Sequence, residues 1–194
     1  MALPLTVERE ELHHRSIEMR GYRRSDGLFD IEARLIDRKT EEMRNTLGQR
    51  TPAGAAIHHM QLRLVVNEEL LVVDVAACTL SAPYAQCPEA TLSLQRLKGL
   101  RIGAGWSRAV RERLAGALGC THLTELLAPL ATVVYQSLWP VRQAKATRPT
   151  LRLDSCHAYA SEGPLVQQLQ QMQDAERGAC VPRQGLQPLP SSFL

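Results

Sequence analysis

The chain has 194 residues, 44% of them apolar and 22% charged, with a formal charge of +3. That balance excludes global disorder and fits one buried core with tails. Two Phe, two Trp and four Tyr are too few for a stacking platform on single-stranded nucleic acid.

Residues 1–14 read as a loosely held leader, whose apolar stretch is too short for a signal peptide. Along 15–24, Ile17 and Met19 alternate with Ser16, Glu18 and Arg20, which is a strand pattern. Ser25-Asp26-Gly27 is a turn signal. Residues 28–36 then alternate strictly, with Phe29, Ile31, Ala33 and Leu35 on one side and Asp30, Glu32 and Arg34 on the other. The two segments predict an antiparallel hairpin with one buried and one polar face. Residues 37–56 are polar, contain Gly48, Pro52 and Gly54, and read as a connecting loop. A second hairpin is expected from 59–66 and 70–77, and the apolar run of the latter suggests a strand covered on both faces.

The periodicity changes after Pro83. Pro88 suits the first turn of a helix over 88–98, closed by Gly99. Ser107 is a candidate cap for a helix over 106–118, and Gly119 ends it. Thr121 can cap the next helix, over 121–138, whose stripe is Leu123, Leu126, Leu127, Leu130 and Val134, with Pro129 as a candidate kink. A basic extension over 140–155, a short Gln-rich helix over 164–175 and a weakly held, Pro-containing tail over 178–194 complete the chain. Strands first and helices afterwards predict an α+β domain over 15–160, an antiparallel sheet with helices packed on one face, followed by an extension over 161–194.

Cys87 and Cys120 each stand immediately before a predicted helix, where free N–H groups favour thiolate. The same placement suits two small residues filling gaps at helix–loop joints. His122 follows Cys120 by two residues, a spacing that makes a metal pair only if the backbone turns between them. His58 and His59 open the third strand, and since adjacent strand residues face opposite ways, only one of them can face the helices. Asp30 and Glu32 are two carboxylates on one strand face, suited to acid/base work or to a solvated ion-pair ladder. Arg24 and Arg63 could hold an anionic group of a substrate or balance nearby acids such as Asp26, Asp30, Glu32 and Asp37. Asp74 interrupts an apolar strand, so a buried carboxylate there needs a partner. Gly103-Ala104-Gly105 lacks the strand–loop–helix context of a nucleotide site. Five cysteines, an odd and scattered set, do not form a secreted disulfide framework, and no apolar run approaches the roughly 18 residues of a membrane span. The expected location is the cytoplasm.

Several segments resemble a bacterial family of unknown function, number 2889, over roughly residues 12–160. They are Tyr22-x-Arg24-x-Asp26-Gly27, Asp30-Ile31-Glu32-Ala33, Ile57-His58-x-Met60, Pro83-Tyr84-x-x-Cys87 and Gly119-Cys120-Thr121-His122-Leu123. The resemblance implies a recognised module with no activity to carry over. More distantly, the order of elements over 60–131 resembles the NifU/IscU–SufE fold of iron–sulfur assembly, with 60–76 as its hairpin and Cys87, Lys98-Gly99 and Cys120 at matching places. Its first cysteine has no counterpart here, where His58 or His59 stands instead.

These readings converge on a small-molecule-processing enzyme with a Cys/His pocket. Cys87, Cys120, His122, Asp30 and Glu32 are its candidate catalytic residues. His58, His59, Cys87 and Cys120 are candidate ligands for one zinc or iron, and Arg24 and Arg63 are candidate substrate contacts. The alternative is a non-enzymatic scaffold for a metal, sulfur or an iron–sulfur cluster. The expected partner is a small-molecule ligand, with no nucleic acid and no membrane, and self-association into a homo-oligomer is left open.

Overall fold

The computed structural model describes residues 7–145 and 153–179. They fall into two units divided after Lys145.

The first unit opens with a four-stranded antiparallel sheet in the order β1-β2-β5-β6: β1 His13–Arg23, β2 Phe29–Lys39, β5 Ala56–Val66 and β6 Val72–Ser81. The expected first hairpin is present, with Gly27 at φ +85° in its turn. The stretch expected to be a loop contains more structure. β2 runs on to Lys39, and a small hairpin of β3 Met43–Arg44 and β4 Arg50–Thr51 follows. Asp37 is therefore a strand residue. β6 is not covered on both faces as its apolar run suggested, because Val73 is 42% exposed. Asp74, expected to be buried, is exposed and holds Lys98 Nζ at 2.5 Å. β6 is an edge strand, so one of its faces reaches water.

After the sheet, Cys87–Leu97 forms a 3-10 helix, with Pro88 in its first turn. α1 Trp106–Leu114 starts from Gly105 at φ +84°, so Gly105 rather than Ser107 stands at the cap. A short 3-10 turn, Gly116–Leu118, separates it from α2 Thr121–Lys145. α2 lays the predicted stripe of Leu123, Leu126, Leu127, Leu130 and Val134, extended by Leu138, onto one face of the sheet. That inner face presents Phe29, Ile31, Ala33 and Leu35 from β2 and Met60, Leu62, Leu64 and Val66 from β5. Each of these side chains larger than Ala33 contributes about 1.5–3 kcal/mol when fully buried. Gly21 allows the helix to approach β1, since a Cβ there would stand 1.9 Å from Ser137 Oγ. The opposite face of the sheet carries the charged partners of the alternation. No helix among the described residues is long and apolar enough to cross a membrane.

In the second unit, a 3-10 turn His157–Tyr159 precedes α3 Pro164–Ala179, and Asp154 closes the turn by donating its N–H to Tyr159 O at 2.8 Å. The expected tail over 180–194 lies outside the described residues, as does Cys180.

Candidate metal centre

The inner stripe of β2 ends in a charge. After Phe29, Ile31, Ala33 and Leu35, the next inward position is Asp37, whose side chain is 1% exposed. It is the single buried charged side chain among the described residues. Burying a carboxylate is costly unless it is paired, and the sheet register supplies the partners. Arg15 on β1 and His58 on β5 are the cross-strand neighbours of Asp37 on either side, so the three side chains share one row and one face. Just beyond, the pairing shifts so that Arg38 opposes Ala56, a bulge of the kind that re-aims side chains at a sheet end.

Arg15 grips the carboxylate with both sides of its guanidinium, Nε donating to Oδ1 at 2.7 Å and Nη2 to Oδ2 at 2.9 Å. Its remaining nitrogen, Nη1, donates to Glu125 of α2 at 2.9 Å. His58 Nδ1 stands 3.0 Å from Oδ2, and His13 Nε2 stands 3.3 Å from Oδ1. The start of α2 brings in His122, with Nε2 3.9 Å from Asp37 Oδ2 and its ring 3.8 Å from the His58 ring, tilted by 33°. The other nitrogen of His122, Nδ1, lies 3.9 Å from Cys120 Sγ, which is itself 4.0 Å from Met60 Sδ.

The charges are strongly set. Burial alone would raise the Asp37 pKa, but the hydrogen bonds and charge of Arg15, with help from His58, outweigh it and hold the pKa down at about 2. His122 is pushed below the ordinary histidine value by burial, then by His58 and Arg15. A neutral imidazole is the form that ligates metal. Asp37, His58 and His122 each offer one ligand atom, and these atoms all lie within 4.8 Å of one another. One carboxylate with two imidazoles is a donor set for zinc or ferrous iron.

The sequence-predicted residues divide between this cluster and elsewhere. His58, His122 and Cys120 are brought together. His59 points to the opposite face, where Arg34 Nε donates to its Nε2 at 3.2 Å. Cys87, half-buried at the start of the 3-10 helix, is outside the cluster. Asp30 and Glu32 also face away. Asp30 accepts from Arg24 Nη1 at 3.2 Å, and Glu32 accepts from Arg63 Nε at 2.8 Å, so each candidate carboxylate is engaged by one of the candidate substrate arginines in a partly exposed ion pair. Sequence reasoning treated Asp37 only as a counter-charge and did not single out Arg15 or His13. The signal was available: Asp37 continues the strict alternation of 29–35 by one more inward step.

Fold and cluster together define an α+β domain with a half-open histidine–carboxylate centre where the sheet meets α2. The chain belongs to a family described as proteins of unknown function (DUF2889), whose model matches residues 13–136 and so takes in every member of the cluster. No curated protein and no solved structure matches the chain, and the likeness to the iron–sulfur scaffold fold gains no support from these comparisons.

Proposed function

We propose that this chain is an enzyme acting on a small molecule through one divalent metal, zinc or iron, held by Asp37, His58 and His122. The observation that carries this reading is the convergence of three ligand atoms within 4.8 Å around a carboxylate buried at the end of an apolar stripe. A metal in such a site, with a position left open, polarises a substrate oxygen or activates water. Arg15 keeps the carboxylate ionised and fixes its orientation. Cys120 faces His122 Nδ1, so a proton on Nδ1 directs the Nε2 lone pair toward Asp37, an outer partner's role in aligning a ligand. His58 and His122 retain 15% and 26% exposure, which leaves one side of the centre accessible to a solute. Free thiols at Cys78, Cys87, Cys120 and Cys156 are in keeping with the cytoplasm. Cys120 is the thiol beside this cluster among the described residues, and an iron–sulfur cluster needs more thiolates, so a mononuclear centre is preferred to a scaffold.

A second reading, thiol chemistry with His122 as base, rests on the imidazole of His122 standing between Cys120 and Asp37, with Nδ1 3.9 Å from Cys120 Sγ and Nε2 3.9 Å from Asp37 Oδ2. Metal titration separates the two. Chelator-stripped protein, kept anaerobic, is titrated with Zn²⁺ and with Fe²⁺ by calorimetry. One ion per chain is expected, with affinity lowered at least about tenfold in His58→Ala and His122→Ala and retained in Cys120→Ser. Stoichiometric binding unaffected by both histidine variants, or no binding, overturns the metal reading.

A further inference from the structure

The two edges of the sheet are treated differently. The outer edge of β6 is occupied at its start by the chain that follows. Gly99 donates to Val72 O at 2.9 Å, Val72 donates to Leu100 O at 2.8 Å, and Gln95 Nε2 reaches Val75 O at 2.6 Å. Among the described residues of the first unit, the edge of β1 has no such cover. All of its eleven residues except half-buried Met19 are exposed, its register with β2 is regular throughout, and it contains no proline. Ile17 is 47% exposed although it stands on the inner face with Met19, and Tyr22 is 43% exposed. A long, regular edge is a ready template for another strand, and natural chains blunt it with charges, bulges, prolines or cover, of which β1 has only the charges.

We infer that β1 pairs antiparallel with β1 of a second copy, joining two four-stranded sheets across a two-fold axis through Met19. The register follows from charge. With Met19 opposite Met19 of the second copy, Glu18 of each chain faces Arg20 of the other, twice per dimer. Shifting the register by two residues in one direction opposes Glu18 to its own copy, and in the other direction opposes Arg20 to its own copy. Odd shifts would put inner-face residues against outer-face ones. Within one chain Glu18 and Arg20 already bond each other along the strand, so pairing exchanges these contacts between copies at little cost. On the inner face the same register places Ile17 against Gly21 of the second copy, a position with no side chain of its own, and Met19 against Met19. Arg15 meets Arg23 in this register. Arg15 is already paired with Asp37 and Glu125, so the Arg23 guanidinium, which lies 6.0 Å from the Phe29 ring, meets a compensated charge rather than a bare one. The interface is isologous and closes at two copies.

The test is charge reversal with rescue. The full chain, followed by sedimentation over a range of concentrations, is expected to reach twice its 21.6 kDa mass. Glu18→Arg alone or Arg20→Glu alone turns both cross-copy pairs repulsive and should weaken association by roughly tenfold or more. The double reversal, Glu18→Arg with Arg20→Glu, restores opposite charges and should restore the dimer. Circular dichroism checks that each variant is folded. As a measurement needing no variant, amide exchange along β1 of the wild-type chain should slow as concentration rises. A wild-type chain that stays monomeric, single reversals that dimerise as the wild type does, a folded double reversal that stays monomeric, or β1 amides indifferent to concentration each overturn the proposal.

Discussion

The two faces of the sheet use the same chemistry to different ends. Both hold carboxylates against arginines in cross-strand rows. On the outer face Glu32 and Arg63 pair at 2.8 Å, with exposures of 38% and 48%. On the inner face Asp37 and Arg15 pair at 2.7 Å, with exposures of 1% and 34%. The outer pair sits in water, where its attraction is screened and its loss is compensated by hydration. The inner carboxylate has no water to return to, so its charge is held in place by neighbours alone. Residue type thus does not separate structural decoration from a candidate centre. Depth does, and depth here comes from α2 lying across one face and not the other.

The largest effect should come from removing the inner counter-charge. Arg15→Ala leaves Asp37 buried and ionised without its bidentate partner, a class of change that costs about 3–5 kcal/mol. Because Arg15 is one-third exposed and water can partly replace it, the lower end, about 3 kcal/mol, is expected. The double variant Arg15→Leu with Asp37→Leu removes both charges and should lose less than Arg15→Ala alone. Urea unfolding of the variants, alone and combined, decides this. If Arg15→Ala costs under about 1 kcal/mol, the two faces are electrostatically alike and the contrast fails.

The sequence revealed the elements of both faces but not the depth of their charges. The alternation over 28–36 and the leucine stripe of α2 were legible because one face or one stripe is uniformly apolar. The opposition of His58 and His59 followed from strand geometry. Asp37 was legible only as the next inward step of that alternation, and a charge in that place reads as the end of a strand. Its burial depends on Arg15, 22 residues earlier in the chain and placed opposite only by register. Cys87 and Cys120 each stand before a helix, but that is a local property, and two such positions need not converge. Asp74 misled in the other direction. Its apolar neighbours suggested burial, but being at an edge left it in water.

The second prediction concerns the cover of the inner face. Gly21→Ala places a methyl 1.9 Å from Ser137 Oγ and 2.8 Å from its Cβ, so α2 must lift or Ser137 must move. Overpacking of this kind costs about 1–3 kcal/mol. Ser137→Gly in the same chain removes the obstructing side chain and should recover much of the loss, beyond the intrinsic penalty of about 1 kcal/mol for glycine in a helix. Additive losses in the two variants would mean that α2 does not press on β1 at this point.

The smallest effect is expected on the outer face. Glu32→Gln and Arg63→Gln each break a pair whose members are both more than one-third exposed. A double-mutant cycle should give a coupling below about 1 kcal/mol, because hydration recovers most of what the contact supplies. The outer coupling should shrink further at high ionic strength, as the Debye length falls to about 3 Å at 1 M, close to the separation of the exposed pair. The loss on Arg15→Ala should change little, because one member of that pair is out of reach of counter-ions. A coupling on the outer face as large and as salt-resistant as the inner one would show that the ladder of Asp30, Glu32, Arg24 and Arg63 is shielded. The outer face would then have to be treated as a second candidate centre rather than as the solvated side of the sheet.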